Sequence, residues 1–202
     1  MTISLLAAIA AAYLLGAIPF GLLLSRAITG LDPRQHGSGN IGATNALRTG
    51  GKMVGALTLL ADIIKGVIPV TLAIYSELSE VWIGTIAAAT FIGHIYPVYL
   101  RFRGGKGVAT MLGVMLPWQP WVALAGIVLW YVIMKLSHYV SLASILAAIA
   151  LPLTIFLTGG SLPALLVGML IASLVTLKHA SNIKRLLDGT ESTTRKKEES
   201  KA

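Results

Sequence analysis

The chain has 202 residues, 55% of them hydrophobic and 12% charged, and its mean hydropathy of +0.80 leaves too little polar surface for a water-soluble globule of this size. A spanning helix takes roughly 20 residues plus a connection, so the length accommodates one helical membrane bundle and no separate soluble domain. The lack of cysteine excludes a disulfide framework, a thiolate metal site and a thioester acyl-enzyme, and the net charge of +8 argues orientation in a membrane rather than a nucleic-acid partner.

In chain order, apolar runs occupy 3–25, 53–75, 81–99, 107–117, 121–134, 141–157 and 162–177. The first is too long for the core of a signal peptide and has no basic residue before it, so it reads as a retained membrane helix. The expected fold is an all-α integral membrane protein of seven transmembrane helices, some short or re-entrant, with the N-terminus outside and the C-terminus cytoplasmic. That parity places 26–52, 100–106, 135–140 and the tail from 178 on one face, together with fifteen of the sixteen lysines and arginines; Lys65, inside the second run, is the sixteenth. So one-sided a distribution is what the positive-inside rule requires. The run at 107–117 spans only about 17 Å as a helix against a hydrocarbon core of roughly 30 Å, so it is re-entrant or sits in locally thinned membrane. Residues 1–190 form a single domain in this reading, and 191–202, polar and without apolar periodicity, a disordered tail.

Between the first two runs lies Gly37 to Arg48, GSGNIGATNALR. Gly37, Gly39 and Gly42 free the backbone to turn N–H groups toward an anion. Ser38, Asn40, Thr44 and Asn45 add neutral donors, and Arg48 adds a planar fork matched to phosphate. The three glycines satisfy G-x-G-x-x-G, but no strand precedes them and Asp62 lies inside an apolar helical run, so the dinucleotide-binding reading fails on context. Asp62 and Lys65 share a face of the next helix, where ionisable groups need a partner or a polar cavity. They are either a self-neutralising pair or a brace for the cavity wall, with Lys65 reaching toward a phosphate.

The stretch Gly93 to Thr110, GHIYPVYLRFRGGKGVAT, sets Lys106 among Gly104, Gly105 and Gly107 after Arg103 and just before a new helix, a second anion cradle that is not a Walker A loop. A third polar segment, Lys178 to Glu191, follows the last apolar run. If the helix continues, Lys178, Asn182 and Arg185 share a face, with His179 beside them.

No histidine has an aspartate five positions on, which removes the His-x-x-x-x-Asp signature of common CoA-dependent glycerolipid acyltransferases. Ser38 has no His–Asp partner in a strand-turn-helix setting, and the few acids in the cytoplasmic loops make a poor Mg²⁺ set, so no metal and no cofactor are expected. A permease for a phosphorylated metabolite is the rival class, since basic loops and intramembrane charges occur there too; against it, the polar groups gather at one face rather than the midplane.

Together the three segments resemble the cytoplasmic motifs of the bacterial acyl-phosphate:glycerol-3-phosphate acyltransferases (PlsY type), and the resemblance covers residues 3–191 in order. It implies transfer of a fatty acyl group from acyl phosphate to the sn-1 hydroxyl of glycerol-3-phosphate at the cytoplasmic face of the bacterial inner membrane. The products would be lysophosphatidic acid and phosphate. The resemblance assigns catalysis to Ser38, Arg48, Lys106, His179 and Asn182. Phosphate binding falls to Gly37, Gly39, Asn40, Gly42, Thr44, Asn45, Arg103, Gly104, Gly105, Gly107, Ser141 and Lys178, supported by the Asp62–Lys65 pair. The proton acceptor is either His179 or the phosphate of a bound substrate.

Overall fold

The computed structural model describes residues 2–194. Among them there is no strand; the chain is helical throughout, as α1 (Thr2–Ala17), α2 (Phe20–Thr29), α3 (Ala43–Tyr75), α4 (Glu80–Ile95), α5 (Val108–Trp118), α6 (Pro120–Ser137), α7 (Val140–Leu157), α8 (Leu162–Lys178) and α9 (Ala180–Leu187). All seven apolar runs are helical, but fewer than seven have the length of a full crossing. Five stretches are long and apolar enough: 3–29, Ala43–Tyr75, Glu80–Leu100, Pro120–Ser137 and Val140–Leu157. A sixth follows if α8 and α9, bent by 57°, act as one span, whereas α5 has only 11 residues.

The first run breaks where the sequence reading drew one helix. Pro19 lacks an N–H and cannot continue α1, so the chain restarts as α2 at Phe20. The break leaves the Ile18 carbonyl outside the helical ladder, and Lys65 Nζ donates to it at 2.9 Å. A second break falls inside α3, where Gly51 takes φ +85°, ψ 179° and separates a short leading helix, 43–50, from the long one that follows. Only glycine adopts that backbone without strain.

Helices α1 and α4 pack together, as do α3 and α5, α6 and α7, and α7 and α8. The first two crossings are close because glycines face backbone: Gly16 against Thr90, Gly93 against Tyr13, and Gly66 against Gly113. The core lies among α4, α5, α7 and α8, around Phe91, Ile95, Val114, Ile155, Ile171 and Val175, all fully buried. Leu60, Leu72, Leu153, Leu157 and Leu166 remain exposed on the outer faces, as lipid-facing residues do. At the end remote from the site, Glu80 accepts from Trp118 Nε1 (2.8 Å) and Ser161 Oγ (2.7 Å), tying α4, α5 and α8 together.

Candidate active site

The three polar segments converge on one cavity of about 690 Å³. Its polar end is built from two helix N-termini. The first is the leading turn of α3, where Gly42, Ala43 and Thr44 line the cavity with Arg48 one turn on; the second is α5, entered through Gly107 at φ +84°. Both present backbone N–H groups and the positive end of a helix dipole. Ser38, Asn40, Lys106, Ser141, His179 and Asn182 line the same space. Away from the polar end the cavity continues between apolar side chains of α3, α5, α6 and α7, among them Leu59, Met115, Val122 and Leu151.

Lys106 and Arg48 give the polar end of the cavity its positive charge. Lys106 donates to Asn182 Oδ1, and Asn182 Nδ2 donates to Glu191 Oε1 at 2.6 Å. Glu191 also accepts from Ser141 Oγ (2.8 Å) and Arg185 Nε (2.7 Å). Burial tends to raise the Glu191 carboxyl, but hydrogen bonds from Asn182, Ser141 and Arg185 outweigh it and hold the group below the usual carboxylate range. Burial lowers the Lys106 ammonium from 10.5 to about 8; Glu191 opposes the fall, and Arg185 and Arg48 add to it. The His179 imidazole falls to about 4, chiefly through burial and then through Lys106. Its Nδ1 lies 2.8 Å from the Val175 carbonyl, which can only accept, so Nδ1 carries the proton and Nε2 keeps its lone pair.

Several assigned residues make contacts that the sequence does not show. Asn45 is buried and serves the loop itself: Oδ1 accepts from Ser38 N at 2.8 Å, and Nδ2 donates to the carbonyls of Pro33 (2.8 Å), His36 (3.1 Å) and Asn40 (2.8 Å). Its amide is taken up by the loop that it shapes, while the residue also lines the cavity. Gly39, Arg103 and Gly104 line a separate polar recess beside Asp32 and Arg34. There, bonds from the Arg34 side chain hold the Asp32 carboxyl well below its ordinary range, against the effect of burial. Gly105 backs onto the His94 ring, where any Cβ would collide. Lys178 points away and lies 4.3 Å from the centre of the Tyr96 ring, because the helix bends at His179 instead of continuing. Lys65 pairs with Asp62 (2.7 Å) and Ile18 rather than reaching for a phosphate.

Glu191, read from sequence as the start of the tail, is part of the site. Its side chain is 6% exposed, and the segment after it is pinned by Thr194 N donating to the His138 carbonyl at 2.9 Å. Residues 195–202, the rest of the expected tail, lie outside the described residues. The missed signal was a carboxylate closing a motif otherwise rich in cations. His94, 3.7 Å from Asp62 through Nδ1, also lines the cavity, and no sequence signal marks it. Among the described residues no three of His, Asp and Glu gather as a metal ion would require.

Fold and site together define a membrane-embedded protein with a cavity that joins a cationic, donor-rich end to an apolar trough. The profile of the glycerol-3-phosphate acyltransferase family matches residues 6–189. The glycerol-3-phosphate acyltransferase of Syntrophotalea carbinolica is 47% identical over 182 residues, covering 90% of this chain and 93% of that protein; the Geotalea daltonii protein of the same name is 49% identical over 180 residues, with 89% and 92% covered. A crystal structure of PlsY (YgiH), an integral membrane glycerol 3-phosphate acyltransferase, in its glycerol 3-phosphate form superposes with a TM-score of 0.91 at 41% identity, covering 95% of this chain and 96% of that one. The lysophosphatidic acid form of that enzyme gives 0.88, again at 41% identity, with 94% and 95% covered. The chain belongs to the glycerol-3-phosphate acyltransferase family.

Proposed function

We propose that the protein transfers a fatty acyl group from acyl phosphate to the sn-1 hydroxyl of glycerol-3-phosphate, giving lysophosphatidic acid and inorganic phosphate. The observation that carries this reading is the two-part cavity. A water-soluble phosphate ester and a lipid with a phosphate head need a cationic pocket at one end and an apolar trough at the other. The glycerol 3-phosphate and lysophosphatidic acid forms of the related crystal structure support the acceptor and the product. The permease reading has no comparable support, since Lys106, Arg48, His179 and Asn182 collect at one end of the cavity.

In this reaction the sn-1 oxygen forms a bond to the acyl carbon while the bond from that carbon to the phosphate oxygen breaks, and the hydroxyl proton leaves with the released phosphate. Ser38, Arg48 and the N–H groups at the start of α3 hold the donor and the carbonyl charge that develops. Lys106, with the Gly107 turn, binds the acceptor phosphate. Neutral His179 accepts a hydrogen bond from the sn-1 hydroxyl through Nε2 and orients it, while a substrate phosphate oxygen takes the proton; burial and Lys106 hold the imidazole neutral before substrate binds. The charge distribution supports seven crossings with the N-terminus outside and the site facing the cytoplasm of the bacterial inner membrane. Incubating the purified protein with glycerol-3-phosphate and either palmitoyl phosphate or palmitoyl-CoA tests the donor. Mass spectrometry should detect lysophosphatidic acid with the phosphate donor alone, and product from the CoA thioester would refute the reading.

A further inference from the structure

Glycine in the interior of a helix costs about 1 kcal/mol relative to alanine, so each one calls for a reason. For the glycines inside regular helix here the reason is contact: Gly16, Gly66, Gly93 and Gly113 touch neighbouring backbone, and Gly168 touches Ile155. Gly126, in the middle of α6, differs from these. No atom lies within 4 Å of where its Cβ would be, and it lines the cavity. Val122, Ala123 and Trp130, on the same face of α6 at helical spacing, line the cavity with it, so the empty space over Gly126 lies inside the trough.

Its depth follows from α7. Trp130 Nε1 donates to Ser144 Oγ at 3.1 Å and ties α6 to the antiparallel α7; Gly126, one turn from Trp130, and Ala147, nearly one turn from Ser144 in the same direction, both line the cavity. Ala147 is six residues beyond Ser141 at the polar end, about 9 Å along the helix. Leu151 and Val122, buried in the core, lie one turn deeper still. A chain held by its head near Ser141 therefore passes Gly126 partway down, and only a longer chain continues toward Val122 and Leu151.

Resting on the acyl-transfer reading above, we infer that Gly126 determines acyl-chain length, its missing side chain being the opening through which long chains enter the deep end of the trough. The test compares the unaltered protein with Gly126→Ala, Gly126→Val and Gly126→Leu, measuring kcat/KM for octanoyl, lauroyl and palmitoyl phosphate and thermal stabilisation by lysophosphatidic acids of the same chain lengths. Gly126→Leu is expected to lower kcat/KM for palmitoyl phosphate by about tenfold or more while leaving octanoyl phosphate unchanged. Gly126→Val should show the same order to a lesser degree, and Gly126→Ala should keep the original profile. Octanoyl turnover serves as the internal check on folding. An unaltered length profile in Gly126→Leu, or equal loss at every length in both larger variants, overturns the inference. If the unaltered protein uses no acyl phosphate, the proposed reaction falls instead. The inference is then judged on stabilisation alone: palmitoyl lysophosphatidic acid must lose its effect on Gly126→Leu while the octanoyl form keeps it.

Discussion

Lys106 gives the site a pH dependence whose size follows from the structure. In the ligand-free protein its ammonium titrates at about 8, because burial outweighs the attraction of Glu191. A bound phosphate dianion favours the charged form, so binding raises this pKa and is linked to protonation. The acceptor therefore binds fully below pH 8 and more weakly as the pH climbs above it. One unit above, at pH 9, about one Lys106 in ten still carries its proton, and KM for glycerol-3-phosphate should rise about tenfold over its value at pH 7. Steady-state kinetics from pH 6.5 to 9.5 at saturating donor would measure this, since phosphate monoesters are mostly dianions above pH ~6. Lys106→Arg carries a charge that does not titrate in this range, so its KM should stay flat. Lys106→Met removes a charge-assisted hydrogen bond worth about 1.5–3 kcal/mol, roughly a ten- to hundredfold rise in KM at pH 7. A flat KM in the unaltered protein, or the same alkaline rise in Lys106→Arg, would refute the argument.

Lys65→Met strands the buried Asp62 carboxylate and should cost about 3–5 kcal/mol, seen as a lower thermal midpoint, whereas Asp62→Asn combined with Lys65→Met should recover most of it; a fully stable single variant would contradict this. Glu191→Gln turns an amide toward Arg185 and loosens Asn182, so both the thermal midpoint (by about 1–3 kcal/mol of stability) and kcat should fall, and unchanged values of both would remove Glu191 from the site. In His179→Gln the acid limb of the rate profile near pH ~6, which belongs to a phosphate monoester, should persist at reduced kcat; its disappearance would make His179 the base.

Which parts of the site were legible in the sequence follows from how local each constraint is. Donor-rich polar segments beside apolar runs are visible from local composition, so the segments around Ser38, Lys106 and His179 point to one kind of chemistry without their convergence. The break at Gly51 depends on a single backbone conformation inside an apolar run and leaves no mark on periodicity. Asn45 carries the same donors whether it faces a ligand or its own loop, and only the carbonyls of Pro33, His36 and Asn40 around it decide which. Lys178 shares a face with Asn182 and Arg185 only in an unbroken helix, and the 57° bend at His179 has no proline or glycine at that point to announce it. Glu191 was lost because a polar, aperiodic segment looks the same whether free or docked; its partners Ser141 and Arg185 come from distant or bent elements.

Direct transfer requires one cavity to bring an acyl phosphate and glycerol-3-phosphate together. Phosphate release from palmitoyl phosphate by the purified protein, with and without glycerol-3-phosphate, tests it most directly, with Lys106→Ala alongside. Release should require the acceptor, yield lysophosphatidic acid in equal amount, and fall sharply in the variant. Equal release without acceptor would make the protein a hydrolase and contradict the account.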